Sequence, residues 1–186
     1  MPTSFRFKLA DTDAEFEAIH RLNYRTFVEE IPQHAPNAQR RLVDRFHAQN
    51  TYLICLAGAE PGELAGMLAL RTRRPFSLDE KLPDLDAFVP AGARMGEVRL
   101  LAVEPQWRGS AVLAGLARLL ERECLARDLD LVLVSATTRQ RRLYRHFGFE
   151  PFGPLVGRPD AQFQPMQLGR ERFRELQPAA AWRRAR

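Results

Sequence analysis

The stretch from Met95 to Leu120 (MGEVRLLAVEPQWRGSAVLAGLARLL) constrains this chain more than any other. It reads as a buried strand from Glu97 to Val103, a turn holding Pro105 and Gly109, and a helix opening near Arg108. A helix start leaves backbone N–H groups without intrahelical partners and with a partial positive charge, so a strand feeding directly into it offers an anion site. Glu97 lies inside the apolar strand, where a charge is costly unless it has a partner or a task.

The rest of the chain arranges itself around that unit. Phe5 to Leu9 alternates as a strand and ends at Asp11-Thr12-Asp13, a helix N-cap cluster. Apolar residues then recur at helical spacing from Ala14 to Glu30 (Phe16, Ile19, Leu22, Phe27), until Pro32 stops the helix. A second helix fits Asn37 to Gln49, with Leu42, Val43 and Phe46 inward. Strands Thr51 to Ala57 and Glu63 to Arg71 flank a turn with two glycines and a proline, the signature of a hairpin. Arg71 to Arg94 is irregular, but Phe76, Leu78, Leu82, Leu85 and Phe88 suit it to cover something. Asp130 to Thr137 reads as a strand and Thr138 to Phe147 as a helix ended by Gly148. Phe149 to Phe152 and Gln162 to Leu168 read as closing strands, followed by a helical turn from Arg170 to Leu176. A hairpin-rich first half followed by β-α-β-α-β predicts a mixed α/β sheet in one domain over residues 1–170, with a basic tail over 171–186.

Composition excludes several classes. At 186 residues with 45% hydrophobic and 27% charged, the chain suits one globular domain with a real core. No apolar run approaches the roughly 18 residues of a membrane span, and no signal segment opens the chain, so a cytoplasmic location is expected. Cys55 and Cys124 are too few for a disulfide framework, and His20, His34 and His47 lack metal spacing, so no metal is expected. The net charge is +5, and the basic residues behind it are almost all arginine, since only Lys8 and Lys81 are lysines. No zinc spacing or aromatic nucleic-acid motif accompanies it, so no nucleic-acid partner is expected.

Two pieces, Leu101-Ala102-Val103-Glu104-Pro105-Gln106-Trp107-Arg108-Gly109 and Leu143-Tyr144-Arg145-His146-Phe147-Gly148-Phe149, resemble the GNAT superfamily of N-acyltransferases. The resemblance covers roughly Phe5 to Leu168. It implies a mostly antiparallel central sheet, splayed at its centre, with helices on both faces. It also implies an acyl-CoA co-substrate, acetyl-CoA or longer. Aligned on Val103 and Pro105, the pyrophosphate loop begins at Arg108, which puts Ala111 and Leu113 where the family has glycines. Leu22-Asn23-Tyr24-Arg25-Thr26-Phe27 also resembles the arginine-x-phenylalanine helix of homoserine-lactone and N-acyl amino acid synthases, which belong to the same fold group and commonly use acyl carrier protein. Of that branch's glutamate–serine–arginine motif only Glu97 is matched, with Arg99 and Leu100 at the other two positions.

Site roles follow from the resemblance. Glu97 is the expected base for the amine, with an ion pair to Arg94 or Arg99 as the structural alternative. Tyr144 is the expected acid for the leaving thiolate, with a core tyrosine as the alternative. The backbone of Leu101, Ala102 and Val103 would pair with the pantetheine arm. Arg108, Gly109, Ser110, Ala111, Val112 and Leu113 would cradle the pyrophosphate. Arg25, Phe27 and Arg99 are the expected substrate-binding residues, and Arg71, Arg73 and Arg74 could meet an acidic donor. The leading expectation is acetyl transfer to a small-molecule or peptide amine. The alternatives are a long-chain N-acyl amino acid synthase and a non-catalytic acyl-CoA sensor. Because Ala111 and Leu113 weaken the cradle, the Arg71–Arg94 segment would offset this by holding a longer acyl chain against Phe76 and Phe88. A carrier protein and a second copy of the chain are the macromolecular partners this reading admits.

Overall fold

The computed structural model describes residues 3–159 and 161–175, so most of the expected basic tail lies outside the described residues. The strands are β1 (Phe5–Leu9), β2 (Thr51–Ala57), β3 (Glu63–Arg71), β4 (Met95–Val103), β5 (Leu131–Thr137), β6 (Glu150–Pro151), β7 (Val156–Arg158) and β8 (Ala161–Gly169). The α-helices are α1 (Asp13–Tyr24), α2 (Ser77–Lys81), α3 (Ala111–Ala126), α4 (Arg141–His146) and α5 (Arg170–Glu175). The strands hydrogen-bond in the order β1-β2-β3-β4-β5-β8-β6, with β7 on β8. The β4–β5 pair is parallel, while β1–β2, β2–β3 and the pairs made by β8 are antiparallel. The fold is thus mixed α/β with a mostly antiparallel eight-stranded sheet. No helix among the described residues is long and apolar enough to cross a membrane.

The chain separates into two compact units that interleave in sequence. The first holds residues 1–70 and 100–120, the second 71–99 and 121–186. β4 and α3 each contribute to both.

In the first unit, α1 starts where its cap chemistry places it. Thr12 Oγ1 accepts from Glu15 N at 3.3 Å, and the Glu15 carboxylate accepts from Thr12 N and Asp11 N, a reciprocal capping box. β1 makes contacts on both faces. Lys8 Nζ meets Glu15 of α1 at 2.9 Å, while the Phe7 ring on the opposite side packs directly on Gly115 of α3. A Cβ at Gly115 would sit 2.0 Å from that ring, and one at Gly66 of β3 would sit 2.9 Å from Val112 of α3. The two glycines let α3 lie close against the sheet. Ile19, Leu22, Phe27, Tyr52, Ile54 and Met67 form the core beneath α1.

Two expected elements differ. The first long helix does not run to Glu30 as α-helix; beyond Tyr24 it widens into a π-helix, Arg25–Glu30, closed by Ile31 N on Thr26 O at 2.9 Å. The extra residue per turn lets the consecutive residues Thr26, Phe27 and Val28 all be buried. The helix expected over Asn37–Gln49 is instead an irregular strap ending in a 3₁₀ turn, His47–Gln49. Leu42 packs partly on the core while Val43 is 47% exposed. The segment therefore has too small an apolar stripe for packing to favour a helix.

In the second unit, β5 is nearly all apolar and pairs with β8 along its whole length, Leu131–Gly169 to Thr137–Phe163. Its ladder with β4 is shorter and ends at Val98–Val134. Two residues beyond Val98, Leu100 has φ +55°, a strained value for a leucine inside a strand. The irregular Arg71–Arg94 segment contains α2 and a 3₁₀ turn, Leu85–Ala87. Phe76, Leu78, Leu82 and Leu85 are packed with Leu131, Leu133 and Val156. Phe76 is 1% exposed and so fills the core instead of lining a cover, while Phe88, 40% exposed, meets Phe152 at a tilt with ring centroids 6.2 Å apart. Cys55 and Cys124 are free and buried, and burial pushes each thiol up to about 12.

Candidate active site

The helix start expected near Arg108 falls at Ala111, preceded by a 3₁₀ turn at Pro105–Trp107. Ser110 caps it: Val112 N donates to Ser110 Oγ at 3.3 Å, and that hydroxyl donates to Trp107 O at 2.5 Å. Gly109, with φ +78°, makes the turn between the two helical pieces, a conformation that favours glycine. Val112 is fully buried, Leu113 partly so, and Ala111 is exposed. A methyl at 111 and an isobutyl group at 113 border the first turn, where glycine would leave bare backbone.

The Arg108 guanidinium is already engaged. Nη1 and Nη2 donate to the two carboxylate oxygens of Glu30 at 2.6 and 2.5 Å, and Nε donates to Val103 O at 3.0 Å. That fork holds Glu30 below the usual carboxylate range. The arginine expected to meet a phosphate thus meets a carboxylate of the π-helix instead. Arg25 is engaged by a single donor, Nη2, on the carboxylate of Glu104, a residue only 9% exposed. Phe27 is 7% exposed and belongs to the core. Of the β4 segment, Ala102 is buried while Leu101 and Val103 are half-buried.

In the second unit, Glu97 has no exposed surface. Its Oε1 accepts from Ser77 Oγ at 2.6 Å and Leu78 N at 2.9 Å, and its Oε2 accepts from Ser77 N at 2.8 Å. Arg99 Nε lies 3.6 Å from Oε2. The residue before α2 is Phe76, which has no side-chain acceptor, so Glu97 of β4 supplies the cap from across the fold. The negative charge also suits the start of the helix. Arg71, expected on the surface, is 1% exposed and donates to Pro75 O at 2.9 Å, while Arg74 is paired with Asp79 and Asp86.

Tyr144, on α4, is 5% exposed and packs edge-on against Phe149 with ring centroids 5.6 Å apart. Burial pushes its hydroxyl well above the ordinary tyrosine range, so it stays protonated at any physiological pH.

Sequence reasoning singled out Glu97, Arg25 and Arg108 but not their partners Ser77, Glu104 and Glu30, which lie 20, 79 and 78 positions away. Sequence spacing cannot reveal pairs so distant. It also passed over Asn23, a polar residue within the apolar stripe Ile19, Leu22, Phe27, where the helical pattern itself marks the exception.

The mostly antiparallel eight-stranded sheet has the fold of the GNAT superfamily of acyltransferases. Within it, the chain belongs to the N-acyl amino acid synthase FeeM family, whose profile matches residues 18–169. Among solved structures, the CoA-dependent acyl-homoserine lactone synthase BjaI, with MTA, superposes with TM-score 0.72 at 20% identity, over 93% of this chain and 92% of that one. FeeM, an N-acyl amino acid synthase from uncultured soil microbes, gives TM-score 0.70 at 17% identity over 94% and 95%. An acyl-CoA N-acyltransferase from Pseudomonas aeruginosa gives 0.57 at 18% over 89% and 99%. At these identities the likeness is one of fold. No curated protein sequence matches the chain.

Proposed function

We propose that this enzyme joins the acyl group of an acyl thioester to the amine of an amino acid, giving an N-acyl amino acid and a free thiol. The observation that carries the reading is the family match over residues 18–169, which spans the α3 loop, the Glu97 strand and Tyr144 together. The likeness to a CoA-dependent synthase, one of whose structures contains isopentyl-CoA, supports a coenzyme A thioester as donor.

The chemistry needs the amine nitrogen to attack the thioester carbon, the C–S bond to break, and a proton to reach the sulfur. Tyr144, a protonated phenol at physiological pH, is the group we assign to protonate the thiolate. Glu97 already accepts from Ser77 and Leu78 through both oxygens, which favours a positioning role: it holds α2 on β4. The α3 N-terminus supplies the partial positive charge for the donor's pyrophosphate. Arg108 reaches phosphate only by leaving Glu30, and Ala111 and Leu113 limit backbone approach. A cradle of that kind favours donors whose acyl part contributes more than an acetyl group does.

A second donor, the acylated carrier protein, is favoured by the exposed Arg139, Arg142 and Arg145 at α4, a basic surface suited to an acidic protein. Incubation with acetyl-CoA, octanoyl-CoA or octanoylated carrier protein and a mixture of amino acids, with mass spectrometry of products, tests both readings. N-octanoyl amino acids should dominate. Donor binding without any acylated product would overturn the enzyme assignment in favour of a sensor.

A further inference from the structure

The buried face of α1 carries a residue that the core does not explain. Ile19 and Leu22 pack into the first unit's core, as does Phe27 just beyond the helix, and Asn23 stands among them with no exposed surface. Neither Nδ2 nor Oδ1 of Asn23 has a hydrogen-bond partner among the described residues. Three residues earlier His20 is 4% exposed, and its Nδ1 is likewise without a partner. Residues at i and i+3 are neighbours on a helix, so these open polar atoms share one face. Buried polar groups in folded proteins are almost always matched, so two open side chains side by side mark a place where a complementary partner would fit.

Two further features mark the place. Immediately after Asn23 and Tyr24 the helix becomes a π-helix, a geometry concentrated at functional sites. The neighbouring cover is the strap of residues 31–50. It is tied to α1 by Leu42 N on His20 O at 3.0 Å, by Asn37 on the Tyr24 hydroxyl at 3.3 Å, by Arg41 on Glu17 at 2.7 Å, and by the His47 ring 4.7 Å from that of His20. Most of its residues are exposed, and Leu42 is its contribution to the core cluster. The segment is tied down by polar and ring contacts more than by apolar packing, so it can lift with little loss of core burial.

We propose that Asn23, flanked by His20, is the acceptor subsite, and that it binds the amine and carboxylate of an α-amino acid beneath the 31–50 strap. This rests on the acyl-acceptor reading above. Asn23 Nδ2 donates to a carboxylate oxygen, and Oδ1 accepts one amine N–H. The amine then presents its lone pair away from Asn23, toward the thioester carbon. As the N–C bond forms and the C–S bond breaks, the nitrogen loses one proton and the thiolate gains one. A neutral side chain offering a donor beside an acceptor selects a ligand that carries the complementary pair. It therefore distinguishes an amino acid from a simple amine or a fatty acid.

The test compares wild type with Asn23→Leu, using L-phenylalanine and its decarboxylated counterpart phenethylamine as acceptors at saturating octanoyl-CoA. Asn23→Leu removes an unmatched amide and should fold at least as stably as the parent. The subsite predicts that KM for phenylalanine rises about tenfold or more, equivalent to about 1.4 kcal/mol. Phenethylamine, which can make only the amine contact, should lose less than phenylalanine does, and donor KM should stay within about twofold, so the preference for the amino acid shrinks. Hydrogen exchange on the wild type gives an independent reading: phenylalanine should slow exchange at residues 23–24 and across 31–50. Transfer to phenylalanine with unchanged KM in the variant, or unchanged exchange, overturns the subsite alone. Acylation of phenethylamine but of no amino acid overturns the functional reading itself.

Discussion

Replacing Glu97 by glutamine separates a base from a structural cap. The substitution keeps the shape and removes the charge, but it exchanges one acceptor oxygen for an NH₂ group that can only donate. If the remaining oxygen keeps Ser77 Oγ and Leu78 N, the new NH₂ faces Ser77 N, which becomes a buried donor without an acceptor. A hydrogen bond to a charged group contributes about 1.5–3 kcal/mol, and an orphaned buried donor costs about 1–3 kcal/mol. Arg99, 14% exposed, also loses its charged neighbour at 3.6 Å. Together these amount to about 2.5–6 kcal/mol, bracketing the roughly 3–5 kcal/mol found when one partner of a buried pair is removed. Against a total stability of about 5–15 kcal/mol, the loss should be plain in urea unfolding followed by circular dichroism. Amide exchange should quicken first at Ser77 and Leu78. An unfolding midpoint unchanged while turnover falls a hundredfold or more would refute the cap and restore Glu97 as the base.

Stability should also depend on His20. Burial, then the charges of His47 and Arg41, lower its pKa, while Glu17 opposes them weakly. The folded state then binds fewer protons than the unfolded state below about pH 6.5, so this contribution is present above that value and lost as pH falls toward the folded pKa. The melting temperature should drop between about pH 7.5 and pH 5.5 in wild type and much less in His20→Phe; equal slopes would exclude His20. Gly115→Ala should destabilise by about 1–3 kcal/mol despite alanine's better helix propensity, because its methyl would lie 2.0 Å from the Phe7 ring. Thermal melts decide that, and a gain in stability would show that the ring yields. Tyr144→Phe should slow acyl transfer while leaving the melting temperature nearly unchanged. The opposite pattern would make the tyrosine hydroxyl structural.

Local chemistry alone determined much of this protein. Alternation located β1, a glycine- and proline-bearing turn between apolar runs located β2 and β3, the Asp11-Thr12-Asp13 cluster placed the start of α1, and the Val103-Pro105-Gly109 and Tyr144–Phe149 pieces pointed to the superfamily. These features are legible because each depends on neighbours within a few residues, where side-chain period and cap preference act directly. The Arg25-Thr26-Phe27 helix also indicated the synthase branch, which the family match bears out.

Only the tertiary structure decided which charges are engaged. Glu97 became the cap of a five-residue helix because Phe76 has no acceptor to offer, and Arg108 and Arg25 were taken by Glu30 and Glu104. The strap over residues 37–50 stayed irregular because packing engages Leu42 and leaves Val43 exposed, and packing rather than propensity makes a short helix. Asn23 shows the same division. Its place in an apolar stripe is written in the sequence, but that neither amide atom is matched emerges only when every neighbour is in position. Pairing energies of buried polar groups depend on distance in space, and spacing along the chain carries almost no information about that distance.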